Sequence, residues 1–584
     1  MTVLNEGFVH YGLIAGVAYV VVRWSVLYLQ RRKREQHLDG LIAEGRRRRE
    51  ESLEWARKTT EGMTEKQRER ITHLSFPQLK HALHSREVSA ETVLLAYINA
   101  AIVAHERTNC IIGFLRESLH EARELDKKAR DPLYTMPSLF GIPLSVKEMP
   151  GVKGWSWITM GCAGRLDGPP QPDDPYFVKA ARDNGAIPFV ITNMPITLMT
   201  WTTINPTYGI TNSPFRKDRT SGGSSGGEGA LVGAGGSILG IGSDLVGSIR
   251  IPAAFCGCAG FKPTAVRQPQ LHYGETLPGR PFVWPTDGPL ARSIDVCAEL
   301  LRVAWHDGRA NKTDVLCPAV DFREDLFQPG RKYKIGYFTS TEYFTALPGM
   351  ERAVLKAKKF LEKQGHTLVP FKPPYMDKVT ELIQALISFD GLQGLSRMLQ
   401  DDKTPPEMKK FAELLRMPLW KRRLLAYLED FRGDKRLASF YRSTPSTALE
   451  VQDRIAEFYS YRRLFTDAMQ EQGIDALLGC ATPSPALKHT TPLDFALTGL
   501  TISAMYNILD YPAGVVMVTE WHDYDDREIK NYQSKDNFER VIKEETQGLI
   551  GFPIAVQVAA PTYRDEVALR ILRDLEEAIG DDMN

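Results

Sequence analysis

An α/β fold is what this sequence predicts, on two observations. Twice a helical apolar pattern closes on a glycine and runs directly into a short apolar strand: Phe177 to Asn184, Gly185, then Ile187 to Ile191, and Glu351 to Gln364, Gly365, then His366 to Val369. Helix and strand therefore alternate, as in a sheet covered by helices rather than in separate helical and all-β domains. The second observation is the stretch Ser221 to Thr264, SGGSSGGEGALVGAGGSILGIGSDLVGSIRIPAAFCGCAGFKPT, in which Gly, Ser and Ala alternate with Leu231, Val232, Ile238, Leu239, Ile241, Leu245, Val246, Ile249, Ile251 and Phe255. A flexible Gly/Ser linker carries no such run of residues demanding burial. The stretch therefore reads as packed interior where backbone approaches backbone.

With 584 residues the chain has length for more than one domain, though large α/β enzymes exceed the usual range without splitting, and its 43% hydrophobic content suffices for a sizeable core. Its net charge of +1 argues against broad electrostatic binding of nucleic acid. Seven cysteines, at 110, 162, 256, 258, 297, 317 and 480, are odd in number and contain no CxxC pair, so they read as reduced thiols rather than a disulfide framework or zinc site. No HExxH or other metal spacing is present among the histidines, and no GxxxxGK[ST] occurs; no metal and no cofactor are expected.

Taken in order, Phe8 to Leu29 is an apolar run of 22 residues interrupted by His10, Arg23 and Ser25 and followed by Arg31-Arg32-Lys33-Arg34. It is long enough for a transmembrane helix, with Trp24 and Tyr28 suited to the interface and the basic end placing the globular part on the cytosolic side. A cleaved signal peptide is the competing reading, disfavoured because no Lys or Arg precedes the run and no small-residue cleavage site precedes the basic end. Residues 1–30 are thus expected to be an anchor and 31–74 a basic helical linker. Residues 31 to 49 carry eight Lys or Arg against three acids, a stripe that suits anionic lipid headgroups better than nucleic acid and fits a merely solvated helix nearly as well. The compact part begins at Ser75, where Ser75-Phe76-Pro77-Gln78 has capping-box spacing, and a second helix starts at Ser89 with Val93, Leu94, Tyr97 and Ala101 on one face. Pro-rich patches at 168–175 and 282–289 read as surface loops.

Within the central stretch, Ser225 to Ala234 suits a buried helix of small residues, Ile238 to Ile241 a core strand, and Ile249 to Cys256 a helix with Pro252 in its first turn. Further on, Phe411, Leu414 and Leu415, then Leu419, Trp420, Leu424, Leu425, Tyr427 and Leu428, form two apolar stripes broken at Met417-Pro418 and interleaved with Lys and Arg. From periodicity alone, an interfacial hairpin and a pair of surface helices packed on the core fit equally well.

The serine doublet in Gly223-Ser224-Ser225-Gly226, the second serine in Gly247-Ser248-Ile249-Arg250, the closing Gly260-Phe261-Lys262-Pro263-Thr264 and an upstream strand delivering Lys147 in Gly141-Ile142-Pro143-Leu144-Ser145-Val146-Lys147-Glu148 resemble the amidase signature family. With the apolar N-terminus and the 405–431 segment, the resemblance is to its fatty acid amide hydrolase branch. It implies a large twisted mixed sheet covered by helices over residues 75–584. By motif position it implies Lys147, Ser224 and Ser248 as catalytic residues and the backbone N–H groups of Leu245, Val246, Gly247 and Ser248 as oxyanion donors. Ser225, Asp244 and Arg250 are implied as supports, and the hairpin of about 405–431, with Leu419, Trp420, Leu424 and Leu425, as a membrane cap. It further implies lipid amide substrate, membrane lipids and a second copy of the chain as partners, without nucleic acid, and a single-pass protein of the endoplasmic reticulum or another endomembrane.

Such chemistry needs a nucleophile, a base, donors for the oxyanion and an acid for the leaving amine. A lysine at its usual pKa of about 10.4 is protonated at neutral pH, so Lys147 must be depressed by burial to serve. Val246 departs from the family's Gly-Gly before the nucleophile; a β-branched residue tolerates positive φ poorly, so φ at 246 is expected below zero or the turn differs. Gly223-Ser224-Ser225-Gly226-Gly227 also satisfies GxSxG with Ser225 as nucleophile, but the charged Phe215 to Thr220 segment before it is not the strand that motif requires. An amidotransferase-type subunit, a general amidase or esterase, and a silent scaffold are the other functional readings.

Overall fold

The computed structural model describes residues 3–583 apart from 156–158, 271–282, 401 and 492–498, with side chains described from Ile14 to Asp582. The first strands are β1 (Ile111–Phe114), β2 (Pro143–Lys147), β3 (Ile187–Thr192), β4 (Ile204–Asn205), β5 (Gly209–Ile210) and β6 (Leu239–Asp244). They are followed by β7 (Ala259–Lys262), β8 (Thr286–Ala291), β9 (Lys334–Tyr337), β10 (Thr367–Pro370), β11 (Ala476–Cys480), β12 (Ala513–Glu520) and β13 (Pro553–Ala559). Eleven of them form one mixed sheet in the order β1-β3-β2-β6-β8-β7-β12-β13-β11-β9-β10, and β4 with β5 forms a small antiparallel pair. Helices pack on the sheet, among them Pro348–Lys363 against β11 to β13 and Asp565–Met583 against β12 and β13.

The local expectations are met with small shifts in boundaries. Helices Tyr176–Asp183 and Pro348–Lys363 each lead through a glycine into β3 and β10. Ser75 and Gln78 complete a reciprocal capping box ahead of Phe76–His84, and the Ser89 hydroxyl caps Ala90–Thr108 by accepting from the Thr92 N–H. The centre of the sheet is where sequence and packing are most tightly tied. β2 runs parallel to both β3 and β6, which puts Lys147 at the carboxyl end of its strand beside Thr192 and the end of β6. The small-residue helix Gly226–Gly233 lies so close to β6 that a Cβ on Gly240 would fall 1.9 Å from Glu228 Oε2. Any side chain at 240 would displace that buried carboxyl and the helix carrying it, which is why this strand alternates glycine with Ile and Ser.

One expectation is corrected. The Pro-rich patch at 282–289 is not a surface loop: from Thr286 it enters β8, buried throughout, with Pro285 immediately before the strand and Pro289 within it. Pro289 is tolerated there because β7 pairs only with Leu290 and Ala291, leaving it one partner strand. Residues 3–59 form one continuous helix of 57 residues, and among the described residues no helix is long and apolar enough to cross a membrane. Within the expected anchor, the side chains of Phe8 to Leu13 lie outside the described residues, and Arg23 interrupts the part from Ile14 to Leu29. The large apolar side chains of that segment are nonetheless exposed, between 47% and 68%. The basic stripe divides in two: Arg31 to His37 are exposed, whereas the part from Leu38 onward is docked on the globular body. Leu38 and Ile42 pack with Ala163 and Leu166, Leu53 and Ala56 join the main core, and Arg46 donates to the Thr207 and Pro206 carbonyls at 2.7 and 3.1 Å.

Candidate active site

Lys147 is completely buried, with Nζ 2.7 Å from Ser224 Oγ and 2.9 Å from Ser243 Oγ. It forms no ion pair among the described residues. Burial pushes its pKa down to about 7, and the carboxylates of Asp287, Asp244, Glu228 and Glu148 act from further away in the opposite direction. A neutral amine in this place can donate to Ser243 while its lone pair accepts from the Ser224 hydroxyl.

The turn after β6 carries Ser248 back to the serine doublet. Ser248 is buried, and its carbonyl accepts from the Ser225 N–H at 3.1 Å, tying the two serine motifs together. The turn is held from inside by Asp244. Its Oδ1 accepts from the Gly247 N–H at 2.7 Å, Asn507 Nδ2 at 2.9 Å and Arg250 Nη2 at 3.1 Å, and its Oδ2 from Arg250 Nε at 3.0 Å and the Ile249 N–H at 3.1 Å. Burial alone would raise this carboxyl, but the Arg250 charge and these hydrogen bonds outweigh it and hold the group well below the usual carboxylate range. Arg250, equally buried, spends its remaining N–H groups on Asn507 Oδ1, Gln557 Oε1 and the Ser503 carbonyl. Gly247 supplies the left-handed backbone, at φ 122°, while Val246 stays at negative φ. A Cβ on Gly247 would meet Ser503 Oγ at 2.6 Å, and that hydroxyl is needed to donate to the Val246 carbonyl at 2.8 Å.

A family model described as Amidase matches residues 92–569, which takes in every residue of this arrangement. The chain belongs to the amidase family. It is an amide hydrolase. Fatty acid amide hydrolase 1 of Caenorhabditis elegans is 36% identical over 551 residues, covering 94% of this chain and 96% of that protein. Fatty-acid amide hydrolase 1 of Sus scrofa is 32% identical over 574 residues, covering 96% and 95%. A solved structure of a fatty acid amide hydrolase superposes with a TM-score of 0.76 at 23% identity, covering 94% of this chain and 91% of that one, a likeness of fold.

In this amidase the expected residues fall into distinct positions. Lys147 and Ser224 are in contact, and Ser248 lies on the adjoining turn. Of the four backbone donors expected, Gly247 has its N–H directed to Asp244; those of Leu245, Val246 and Ser248 have no acceptor among the described residues. Ser225 is a backbone clamp: its hydroxyl donates to the Ser243 carbonyl and accepts from the Ser243 N–H, both at 3.2 Å, which leaves it no freedom to act as an elbow nucleophile. Leu419 and Leu425 are half-buried, whereas Trp420 and Leu424 are exposed.

Several contributors take a part that only the fold reveals. Ser243, Ser503, Asn507 and Gln557 were each reachable only through pairing: Ser243 by register opposite Asp287, the other three by converging on Asp244 and Arg250 from distant elements. Glu228 is fully buried near Lys147, its carboxyl accepting from Ser145 Oγ at 2.6 Å and Thr192 Oγ1 at 2.7 Å, and burial pushes it up to about 7. Ser145 lies two residues before Lys147 on the same strand face, and Thr192 is the β3 partner of Lys147. A cleft of about 840 Å³ beside β1, lined by Arg48, Phe114, Trp155 and Lys179, reaches Glu148 but none of Lys147, Ser224 and Ser248.

Proposed function

We propose that this amidase is a membrane-associated serine hydrolase that cleaves fatty acid amides, N-acylethanolamines and primary fatty amides among them, to free fatty acid and amine. The reading is carried by the contact of a buried, ion-pair-free Lys147 with Ser224 beside the Ser248 turn. The names of the two relatives supply the substrate class. Neutral Lys147 takes the Ser224 proton as Ser224 takes that of Ser248, and Ser248 Oγ adds to the amide carbonyl. The oxyanion is received by the N–H groups of Leu245, Val246 and Ser248. The proton then returns from the Lys147 ammonium through Ser224 to the departing nitrogen, the C–N bond breaks, and an acyl-Ser248 intermediate is left for water, activated by the same relay, to hydrolyse.

Association with lipid is supported by two exposed apolar surfaces, Ile14 to Leu29 and the stripe of Trp420, Leu424, Tyr427, Leu428 and Phe431 on the helix Leu419–Phe431. That helix turns its apolar side outward while Arg422 is buried and donates to the Leu414 carbonyl at 2.8 Å, an inversion that favours a non-aqueous neighbour. A homodimer on the cytosolic side of an endomembrane belongs to the same proposal. Labelling of detergent-solubilised protein with a fluorophosphonate, followed by a scan of long-chain primary amides and acyl ethanolamides, tests it. The expected adduct is on Ser248 and disappears in Ser248→Ala; an adduct on Ser225, or hydrolysis confined to short amides, would refute the reading.

A further inference from the structure

A second cleft, of about 1430 Å³, lies between the long N-terminal helix and the segment that precedes the exposed hairpin helix. One wall is the stretch from Leu27 to Leu38, bearing Arg31 and Arg34; the other carries Arg397, Lys403, Lys409 and Arg416. Six Lys or Arg therefore face it against three acids, Glu35, Asp402 and Glu413, in a chain whose net charge is only +1. Two of the acids are already engaged: Glu35 accepts from Arg31 at 3.1 Å, and Asp402 accepts the Gly164 and Lys403 N–H groups at 3.0 and 2.7 Å. Arg397, Lys409 and Arg416 are exposed and have no ion pair or side-chain hydrogen bond among the described residues. Arg31 and Lys403 are held by Glu35 and Asp39, so among the described residues these three cations share the concavity with a single free acid, Glu413, and the excess positive charge calls for an anion.

Position identifies which anion. The exposed apolar segment ends at Leu29, and Arg34 follows five residues later, about 7.5 Å along the helix axis. If Ile14 to Leu29 sits in hydrocarbon, that distance spans the interfacial layer of roughly 5 to 7 Å on each side of a bilayer, the depth at which lipid phosphates lie. The opposite wall continues through Met417-Pro418 into the helix with the exposed Trp420 stripe. We propose that this cleft binds the headgroup of an anionic phospholipid, fixing the N-terminal helix and the hairpin on one membrane surface. The inference rests on the membrane association proposed above and adds to it a defined site and a lipid preference.

The test uses the full chain and vesicles of phosphatidylcholine with and without phosphatidylserine. Each basic residue at an anionic surface is worth about fivefold in binding, so combined Arg397→Gln, Lys409→Gln and Arg416→Gln should lower binding to anionic vesicles on the order of 100-fold. The same variant should bind neutral vesicles like the parent and retain fluorophosphonate labelling in detergent, showing that it is folded. A control with Lys410→Gln, Lys421→Gln and Lys435→Gln, exposed cations outside the cleft, should keep the anionic preference. Equal loss in the control, or a parent that binds both vesicles alike, would overturn the cleft while leaving membrane association intact. Failure of the parent to bind either vesicle would overturn membrane association itself. Saturable binding of inorganic phosphate that the cleft variant abolishes, without any vesicle preference, would assign the site to a soluble anion and overturn the lipid assignment.

Discussion

Lys147 and Glu228 set the electrostatics of the site from neighbouring positions, and their burial makes both titrate close to neutrality. Glu228 has its pKa raised in the folded chain, so the fold binds a proton that the unfolded chain releases above about pH 4.5. Its contribution to stability is complete below that pH and is lost as pH rises through about 7. Glu228→Gln removes this dependence. Thermal or urea unfolding of the two proteins from pH 5 to 8 should therefore show the variant gaining on the parent by up to about 3 kcal/mol as pH rises, at 1.36 kcal/mol per pKa unit. A constant difference would mean that Glu228 does not change ionisation on folding. Arg250 is the cation paired with Asp244, through Nε and Nη2. Arg250→Met leaves a buried, unpaired carboxylate and should cost about 3 to 5 kcal/mol in urea unfolding, with loss of Ser248 labelling as the turn loosens. Lys147, Ser224, Ser248, Asp244 and Arg250 were legible in the sequence because each stands at a fixed offset in a motif. Glu228, also inside the stretch, and Ser243 were passed over, since a lone carboxyl or hydroxyl among glycines declares its role only once the strands are paired.

Elements were legible where local chemistry decides them. The capping box at Ser75, the small-residue helix after Ser225 and the glycine-closed helix leading to β3 need only their own residues to be recognised. Elements decided by what lies beside them were not. β8 was hidden because Pro285 and Pro289 speak against a central strand, and only the short reach of β7 makes room for them. The helix Leu419–Phe431 had a readable amphipathic pattern, but periodicity does not say which side faces the protein. Arg422 inward and Trp420 outward is the reverse of the usual arrangement. Combined Trp420→Ser and Leu424→Ser should accordingly leave the melting temperature unchanged or raised, since exposed apolar side chains contribute nothing to folding, while vesicle sedimentation falls. A large loss of stability would show that this side is covered within the protein instead.

At the scale of the molecule, the mixed sheet gathers the carboxyl ends of β2 and β6 and the start of β8 at one point, where Lys147 and Ser243 meet. The α/β class followed from alternation of helix and strand, whereas the order of eleven strands did not, because pairings such as β7 with β12 join segments about 250 residues apart, beyond the reach of any local pattern. The buried end of that sheet depresses Lys147, and everything proposed for the reaction depends on the lysine being both base and acid. The decisive measurement is the rate of hydrolysis of a long-chain amide and of the ester of the same acyl group, by the parent and by Lys147→Ala, from pH 6 to 10. The parent's amide rate should rise through an apparent pKa near 7 as Lys147 loses its proton, and the variant should lose about 10² to 10⁴ on the amide, distinctly less on the ester, and that pH dependence. Equal losses on the two substrates, or an unchanged pH profile in the variant, would contradict the relay through Lys147.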